Sequence, residues 1–467
     1  MQLTMYGYII IPITLILSVT RPKALVYLLI LFSSFQVTGV FNIEKYEFSL
    51  QIYKWLIILI SVSFLVGVFI TGKIRLWDQR IYKVVTVGTL FVLYTLFMSL
   101  ILPNIFRGIP VFTPTLGIDY SAVYGPQPLK LSLYNIVAPA YIVFYFVTFL
   151  YIISHSWSKR EQIVVEKLFE VAFLFNLVVS ISQFVSSFFE LPLDVTDFFY
   201  NILQRKYTVS NMIIPRVQGL FQEPSMFSPF LIGFFSQKFY QALEFKRKKD
   251  FIFVILSLFL VLLTVSTTAF IALFIMIFVV MADTRFIRPS KNTIIINVKK
   301  LISFFFVLLV SLSLVTISLN LLFDWKDIIK IVNVATFGKI ETSSFSNRMK
   351  ADIHALKLLV KTYGLGVGLG SNRPSSLLPY LLSQLGLIGT FLFLVYIQKI
   401  ISYARTKLKE TENMGVYFLL LANLISQLIA YPDITSPTLW QSVYLTIIRC
   451  FKKGNQNEKN SQSSSEL

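Results

Sequence analysis

The chain has one cysteine, Cys450, among 467 residues. That excludes a disulfide within the chain and any cysteine-ligated metal cluster. It has two histidines, His155 and His354, too few for a histidine-rich metal centre. Acidic residues are scarce as well: 23 Asp and Glu stand against 42 Lys and Arg, a net charge of +19. In a soluble protein such an excess points to nucleic acid. Here the basic residues fall in short loops between apolar runs, where they set membrane orientation, and no nucleic-acid partner is expected. Long polar stretches are nearly absent too. The chain is 55% hydrophobic with a mean hydropathy of +0.71.

Apolar runs recur from end to end at the roughly 17–25 residues that span hydrocarbon. A transmembrane barrel would show shorter, alternating segments. The expected fold is therefore an all-α polytopic membrane protein, a single integral domain over 1–467. Candidate spans are 4–19, 24–41, 53–71, 83–103, 132–154, 165–189, 223–241, 250–265, 267–283, 300–323, 377–398, 415–431 and 436–449. The best count is 13, and 12 to 14 fit. The start, MQLTMYGYIIIPITLILSV, lacks a basic leader and a small-residue cleavage site, so it reads as a retained helix. Basic clusters at 20–23, 73–80, 159–160, 246–249, 285–291, 405–409 and 452–453 are expected on the cytoplasmic side. The block 251–282 has a basic cluster at each end, so it reads as two helices turning at Ser266-Thr267-Thr268. The tail 454–467 is polar and low in complexity, and is expected to be disordered.

Three loops are left on the outer face: 104–131, 190–222 and 324–376. The last is long enough to suggest function. Within it, SNRMKADIHALKLLVKTYG predicts a helix over about 347–363. Met349, Ile353, Leu356 and Val360 share one face, for the membrane surface or for packing on the bundle. GLGVGLGSNRPSS follows. Its alternating glycines are neither a P-loop nor a dinucleotide fingerprint. They suit close backbone approach to a helix, an anion held by N–H groups, or a re-entry turn.

Ionisable groups avoid the helix centres, unlike a transporter's. Arg216, Arg348 and Arg373 fall on the outer side, where positive residues are discouraged, and arginine suits phosphate oxygens. A polyprenyl diphosphate is the natural outer-leaflet anion with chemistry attached; lipid headgroup contact or an ordinary surface pair is the plainer alternative. Glu223 opens an apolar helix just before Pro224. It is a candidate general base, a partner for Arg216, or a favourable charge at a helix N-terminus. Asp352 and His354 are weaker candidates, and Tyr120, Tyr124 and Tyr207 are candidates for sugar contact.

RVQGLFQEPSMFSPFL, residues 216–231, resembles a segment of the O-antigen polymerase and ligase superfamily of bacterial envelope proteins. SNRMKADIHALKLLVKTYGLGVGLGS resembles its outer-loop segment. LLPYLLSQLGLIGTFLFLVYI resembles the helix that follows, with Gly386, Gly389 and Thr390 in a G-x-x-G-T position. The resemblance implies a GT-C-like membrane fold with a large, partly helical outer loop and no cofactor or required metal. It implies undecaprenyl-diphosphate-linked glycans as donor and acceptor, handled on the outer face of the cytoplasmic membrane, with the bilayer, a flippase and a chain-length regulator as partners. Arg216 and Arg348 would hold the diphosphate, Glu223 would take the proton, and Arg373, Gly219, Ser225, Asp352, His354 and Ser375 would line the substrate. Ser375 stands where the ligase pattern has its histidine, and Ser266-Thr267 stands where many members carry Ser-Arg. Both departures favour a polysaccharide polymerase over a ligase. A lipid-linked glycan transporter and a non-enzymatic assembly partner are the remaining alternatives.

Overall fold

In an apolar surrounding, every backbone N–H and C=O has to be bonded within the protein, and an α-helix does this within one segment. The computed structural model describes residues 2–44, 48–114, 125–191, 195–203, 215–283, 343–409 and 411–451, apart from 75 and 77, together with scattered positions between 287 and 313. Most of the predicted span 300–323, the first part of the long outer loop, Tyr120, Tyr124, Tyr207 and the tail 454–467 lie outside the described residues.

The helices are α1 (Met5–Thr20), α2 (Pro22–Phe32), α3 (Ile52–Thr71), α4 (Tyr82–Ile105), α5 (Tyr134–Ser154), α6 (Lys159–Phe188), α7 (Pro224–Phe245), α8 (Lys248–Leu263), α9 (Thr267–Asp283), α10 (Ser343–Lys361), α11 (Leu377–Leu408), α12 (Gly415–Ile429) and α13 (Pro437–Cys450). Among the described residues, five stretches are long and apolar enough to cross a membrane: α3, Gln79–Ile105, α5, α6 and α11. Phe69, Phe274 and Phe391 point outward with 90, 64 and 65% of their surface exposed. Such a rim suits lipid, not water.

The predicted break in the apolar block 251–282 is present, with α8 ending at Leu263 and α9 starting at Thr267. The predicted span 24–41 is shorter than expected. It ends at Phe32, and the chain then enters a small antiparallel sheet, β1 (Gln2–Leu3), β2 (Gly39–Ile43) and β3 (Phe48–Gln51). Helix α10 packs on α11, burying Ala351, Ala355 and Leu358. Its predicted stripe of Met349, Ile353, Leu356 and Val360 stands exposed. Two alanines and Leu358 face inward, and the apolar stripe is left outward.

Two helices form the centre. Helix α13 is buried on every face, and α7 is buried along nearly all its length against α8, α9 and α12. Near the far end of α7, Lys238 has a side chain only 1% exposed. Its Nζ lies 2.7 Å from Glu170, 3.4 Å from Asp250 and 3.6 Å from Glu166. Lys249 pairs with Glu170 at 2.5 Å, and Arg449 pairs with Glu166. Lys23 with Glu161 and Lys407 with Asp78 share the basic-cluster segments. Four helices, α6, α7, α8 and α13, are thus pinned by paired charges. Removing one partner of a buried pair leaves an uncompensated charge and costs about 3–5 kcal/mol. Lys238→Met is expected to lower the unfolding temperature in detergent sharply. Adding Glu170→Gln should recover part of the loss, which thermal melts of both variants will measure.

Candidate functional site

Helix α11 is broken at Gly386, whose φ of 65° and ψ of −169° fall outside the helix. The break frees the carbonyls of Ser383, Gln384 and Leu385. The glycine run supplies two donors: Val367 N–H reaches Ser383 O (2.8 Å) and Gly368 N–H reaches Gln384 O (2.9 Å). Tyr94 Oη supplies the third, donating to Leu385 O at 3.1 Å. In return Leu387 N–H donates to Gly364 O at 2.8 Å. The run's other donors are also used internally: Gly366 N–H meets Thr362 Oγ1, Leu369 N–H meets Ser99 Oγ and Gly370 N–H meets Gln384 Oε1. Close backbone approach is therefore the role of these glycines, and their N–H groups are not left for an anion. A Cβ on Gly366 would sit 2.6 Å from Gly386 N.

This interlock fixes the start of α11. Asp352 of α10 accepts from Ser375 N–H (2.6 Å), Ser376 N–H (3.2 Å) and Ser376 Oγ (2.7 Å). A carboxylate there suits the helix dipole and holds the loop. His354 Nε2 donates to Pro110 O at 2.9 Å, and its ring meets Phe112 at 4.8 Å. Burial holds its imidazole below the usual histidine range, outweighing the Pro110 bond. Both residues hold loops together. Ser375 Oγ is buried without a hydrogen bond. Arg373 is fixed through its backbone, donating N–H to Phe112 O at 2.8 Å, and its side chain is partly buried. Arg348 lies one helical turn before Asp352 and makes no ion pair with a described residue.

The stretch 216–225 is shaped by amides of α6. Gln183 Oε1 accepts from the Gln218 and Gly219 N–H groups (3.0 and 2.9 Å), and its Nε2 donates to Gly219 O (2.8 Å). Gly219 has φ +57°, and a Cβ there would meet Asn176 Oδ1 at 2.7 Å. Arg216 Nε donates to Thr264 O at 3.1 Å, tying it to the α8–α9 turn. Glu223 caps α7 and accepts from Ser225 Oγ at 3.0 Å. It makes no ion pair with Arg216.

Sequence reading missed three residues that complete this end of the bundle: Lys54, Tyr431 and Asp433. The turn between α12 and α13 holds Tyr431 at a φ of 60°. Asp433 Oδ1 accepts from Thr435 N–H (2.8 Å) and Oγ1 (2.6 Å), whereas Oδ2 accepts from no described residue. Burial pushes its carboxyl above the usual range; the Thr435 bonds and the positive charges of Lys54 and Arg373 offset part of this. The Tyr431 phenol is pushed up by burial and by the Asp433 charge, Arg373 opposes this, and Glu223 adds to it. Glu223, Arg373 and Asp433 thus gather around one tyrosine. The aromatic wall continues to Lys54, whose Nζ lies 4.9 Å from the Tyr141 ring centre. One turn along α5, Tyr145 stacks on Trp440 at 5.2 Å, and Trp440 Nε1 donates to Ile434 O at 2.8 Å.

Two cations and two carboxylates, all partly buried, therefore gather around Tyr431 and Asp433, a grouping called the cup below, without an ion pair among them. The sequence carried one signal for Asp433: it is the sole acidic residue between 413 and 457. No protein-family model matches the chain, and no curated protein is similar to it in sequence.

Gly366→Ala places a Cβ against the backbone of α11 at a φ of +79°, a conformation costing an L-residue roughly 1–2 kcal/mol before any clash. It is expected to lower the yield and melting temperature of purified protein. Gly67→Ala, at a site with nothing within 4 Å, should be tolerated in the same assay.

Proposed function

We propose that the protein is a polymerase of surface polysaccharide, transferring a growing glycan from undecaprenyl diphosphate to the next lipid-linked repeat unit. The observation that carries this reading is the cup of unpaired charges, Lys54, Arg373, Glu223 and Asp433, walled by tyrosines at the end of an apolar bundle. Its place fits an outer-face site in a GT-C-like fold of about 13 spans in the cytoplasmic membrane. The buried charges inside helices, Lys238, Glu166, Glu170 and Arg449, are paired with one another, and the pairs Lys23–Glu161 and Lys407–Asp78 join segments of the basic clusters.

In this reaction an acceptor hydroxyl forms a bond to the anomeric carbon, and the bond from that carbon to the diphosphate oxygen breaks. The departing diphosphate gains negative charge, which Arg373, with Arg348 and Arg216 on neighbouring segments, is suited to stabilise. The hydroxyl proton goes to a carboxylate. Asp433 is the better placed of the two, because burial raises its basicity and its Oδ2 accepts from no described residue. Glu223, bonded to Ser225, orients the start of α7. Tyrosine faces suit the apolar faces of sugar rings. Holding two lipid-anchored substrates in one cup supplies proximity.

A transporter of lipid-linked glycans is the second reading. It is favoured by buried amides of α12 that lack partners, Gln427 at both polar atoms and Asn423 at Oδ1.

Deleting the gene in its host separates the two readings. A polymerase mutant keeps single lipid-linked units on the outer face and loses long chains; loss of the single units from that face sinks the polymerase reading. Arg373→Ala and Asp433→Asn are expected to reproduce the deletion at normal protein level, with rates down about 10²–10³-fold for a lost charge stabiliser or base. The base acts only when ionised. Since burial raises Asp433, polymerisation in membranes should fall on acidification while the pH is still above the ordinary carboxylate range. A rate that is flat through that window would count against Asp433.

A further inference from the structure

We propose that Lys54 selects a glycan bearing a carboxylate, a uronic-acid-like residue seated beside the reacting groups; this rests on the glycosyl-transfer reading above. Lys54 is the third residue of α3. The helix dipole puts positive potential there, so a lysine is disfavoured at that position. Partial burial among aromatic rings disfavours its charge further. Lys238, the buried lysine at the opposite end, answers this cost with carboxylates at 2.7 and 3.4 Å. Lys54 has no such partner among the described residues. Its ammonium rests on the faces of Tyr141 at 4.9 Å and Tyr53 at 5.9 Å, contacts that hold a cation without neutralising it. Asp433 acts on it electrostatically, yet its bonded oxygen is turned to Thr435 and no ion pair forms.

A cation held in this way can accept an anion as its partner. The arginines are suited to the diphosphate, and they come from the segments at 216, 348 and 373. Lys54 comes from α3, a separate wall of the cup, reached through Tyr141 and the Trp440 stack. An acidic sugar brought next to Asp433 would be repelled by it, and Lys54 is the charge that cancels the repulsion. Lysine offers a point charge with three donors, whereas arginine offers the planar fork that fits phosphate. The chemistry therefore favours a sugar carboxylate over a sugar phosphate.

Saturation-transfer NMR on the full-length protein in detergent tests this with three probes: methyl glucuronide, methyl glucoside and glucose 6-phosphate. The glucuronide should bind about tenfold more tightly than the glucoside, as a charge-assisted hydrogen bond implies. Lys54→Gln should bring it to the glucoside level, Lys54→Arg should retain most of the preference, and both variants should keep the wild-type melting temperature. Equal binding of glucuronide and glucoside, or an unchanged preference in Lys54→Gln, overturns the proposal. Stronger binding of glucose 6-phosphate overturns the carboxylate assignment. If Lys54→Gln melts early, the comparison is made with Lys54→Met and wild type, and an unchanged preference there overturns it too. The outcome is separable from the polymerase reading, which stands or falls on chain length in the deletion strain.

Discussion

The broken helix α11 imposes the constraint on which the site depends. Three carbonyls freed near Gly386 cannot be left unbonded in apolar surroundings. Their donors come from a second backbone, and that backbone has to come within contact distance. Only a residue without a Cβ allows it at Gly366, opposite Gly386, and the same need recurs where Gly368 meets Pro103 and Ser99 of α4 and Gly370 meets the Tyr134 backbone of α5. The chain then leaves this interlock in a fixed direction. Arg373 follows three residues after Gly370, and Ser376 begins α11 under the Asp352 carboxylate. An arginine in a loop is positioned here by the bonding needs of a helix interior.

Charge is handled in opposite ways at the two ends. At one end, Lys238, Lys249 and Arg449 meet Glu166, Glu170 and Asp250 in short contacts. Such a network is closed: each group is spoken for, and its effect is to fix helices. At the other end, Lys54 and Arg373 act on Asp433, and Arg373, Glu223 and Asp433 act on Tyr431, yet the four charges form no ion pair with one another. Asp433 is occupied on one side by Thr435, and Glu223 by Ser225. A backbone bond to Phe112 holds Arg373, while its side chain pairs with no described residue. The first arrangement stabilises a fold, and the second suits a ligand.

Much of the fold was legible because apolar length and breaks are local. The turn near Ser266 followed from basic clusters at both ends of one apolar block, and the stripe on α10 followed from its spacing. The short end of α2 and the sheet that follows it were not legible. Gly39–Ile43 is as apolar as the helix before it, and its pairing with Phe48–Gln51 is a contact between segments. The site was legible in part. Glu223 and Arg373 stood out by their side of the membrane, and the structure brings them together. Asp352 and His354 were read by chemical type, but their partners, Ser376 and Pro110, are fixed by tertiary contacts. Lys54 and Asp433 lie some 380 positions apart, and nothing in either segment names the other. Their meeting depends on α5 and α13 stacking through Tyr145 and Trp440.

Helix α7 connects the two regimes. It begins at Glu223 in the cup and carries Lys238 into the closed network fifteen residues later. Each residue of an α-helix turns the chain by about 100°. A single insertion or deletion between these positions would therefore swing one end away from its partners by more than a quarter of a turn. With both ends committed, this segment has freedom of composition but none of length.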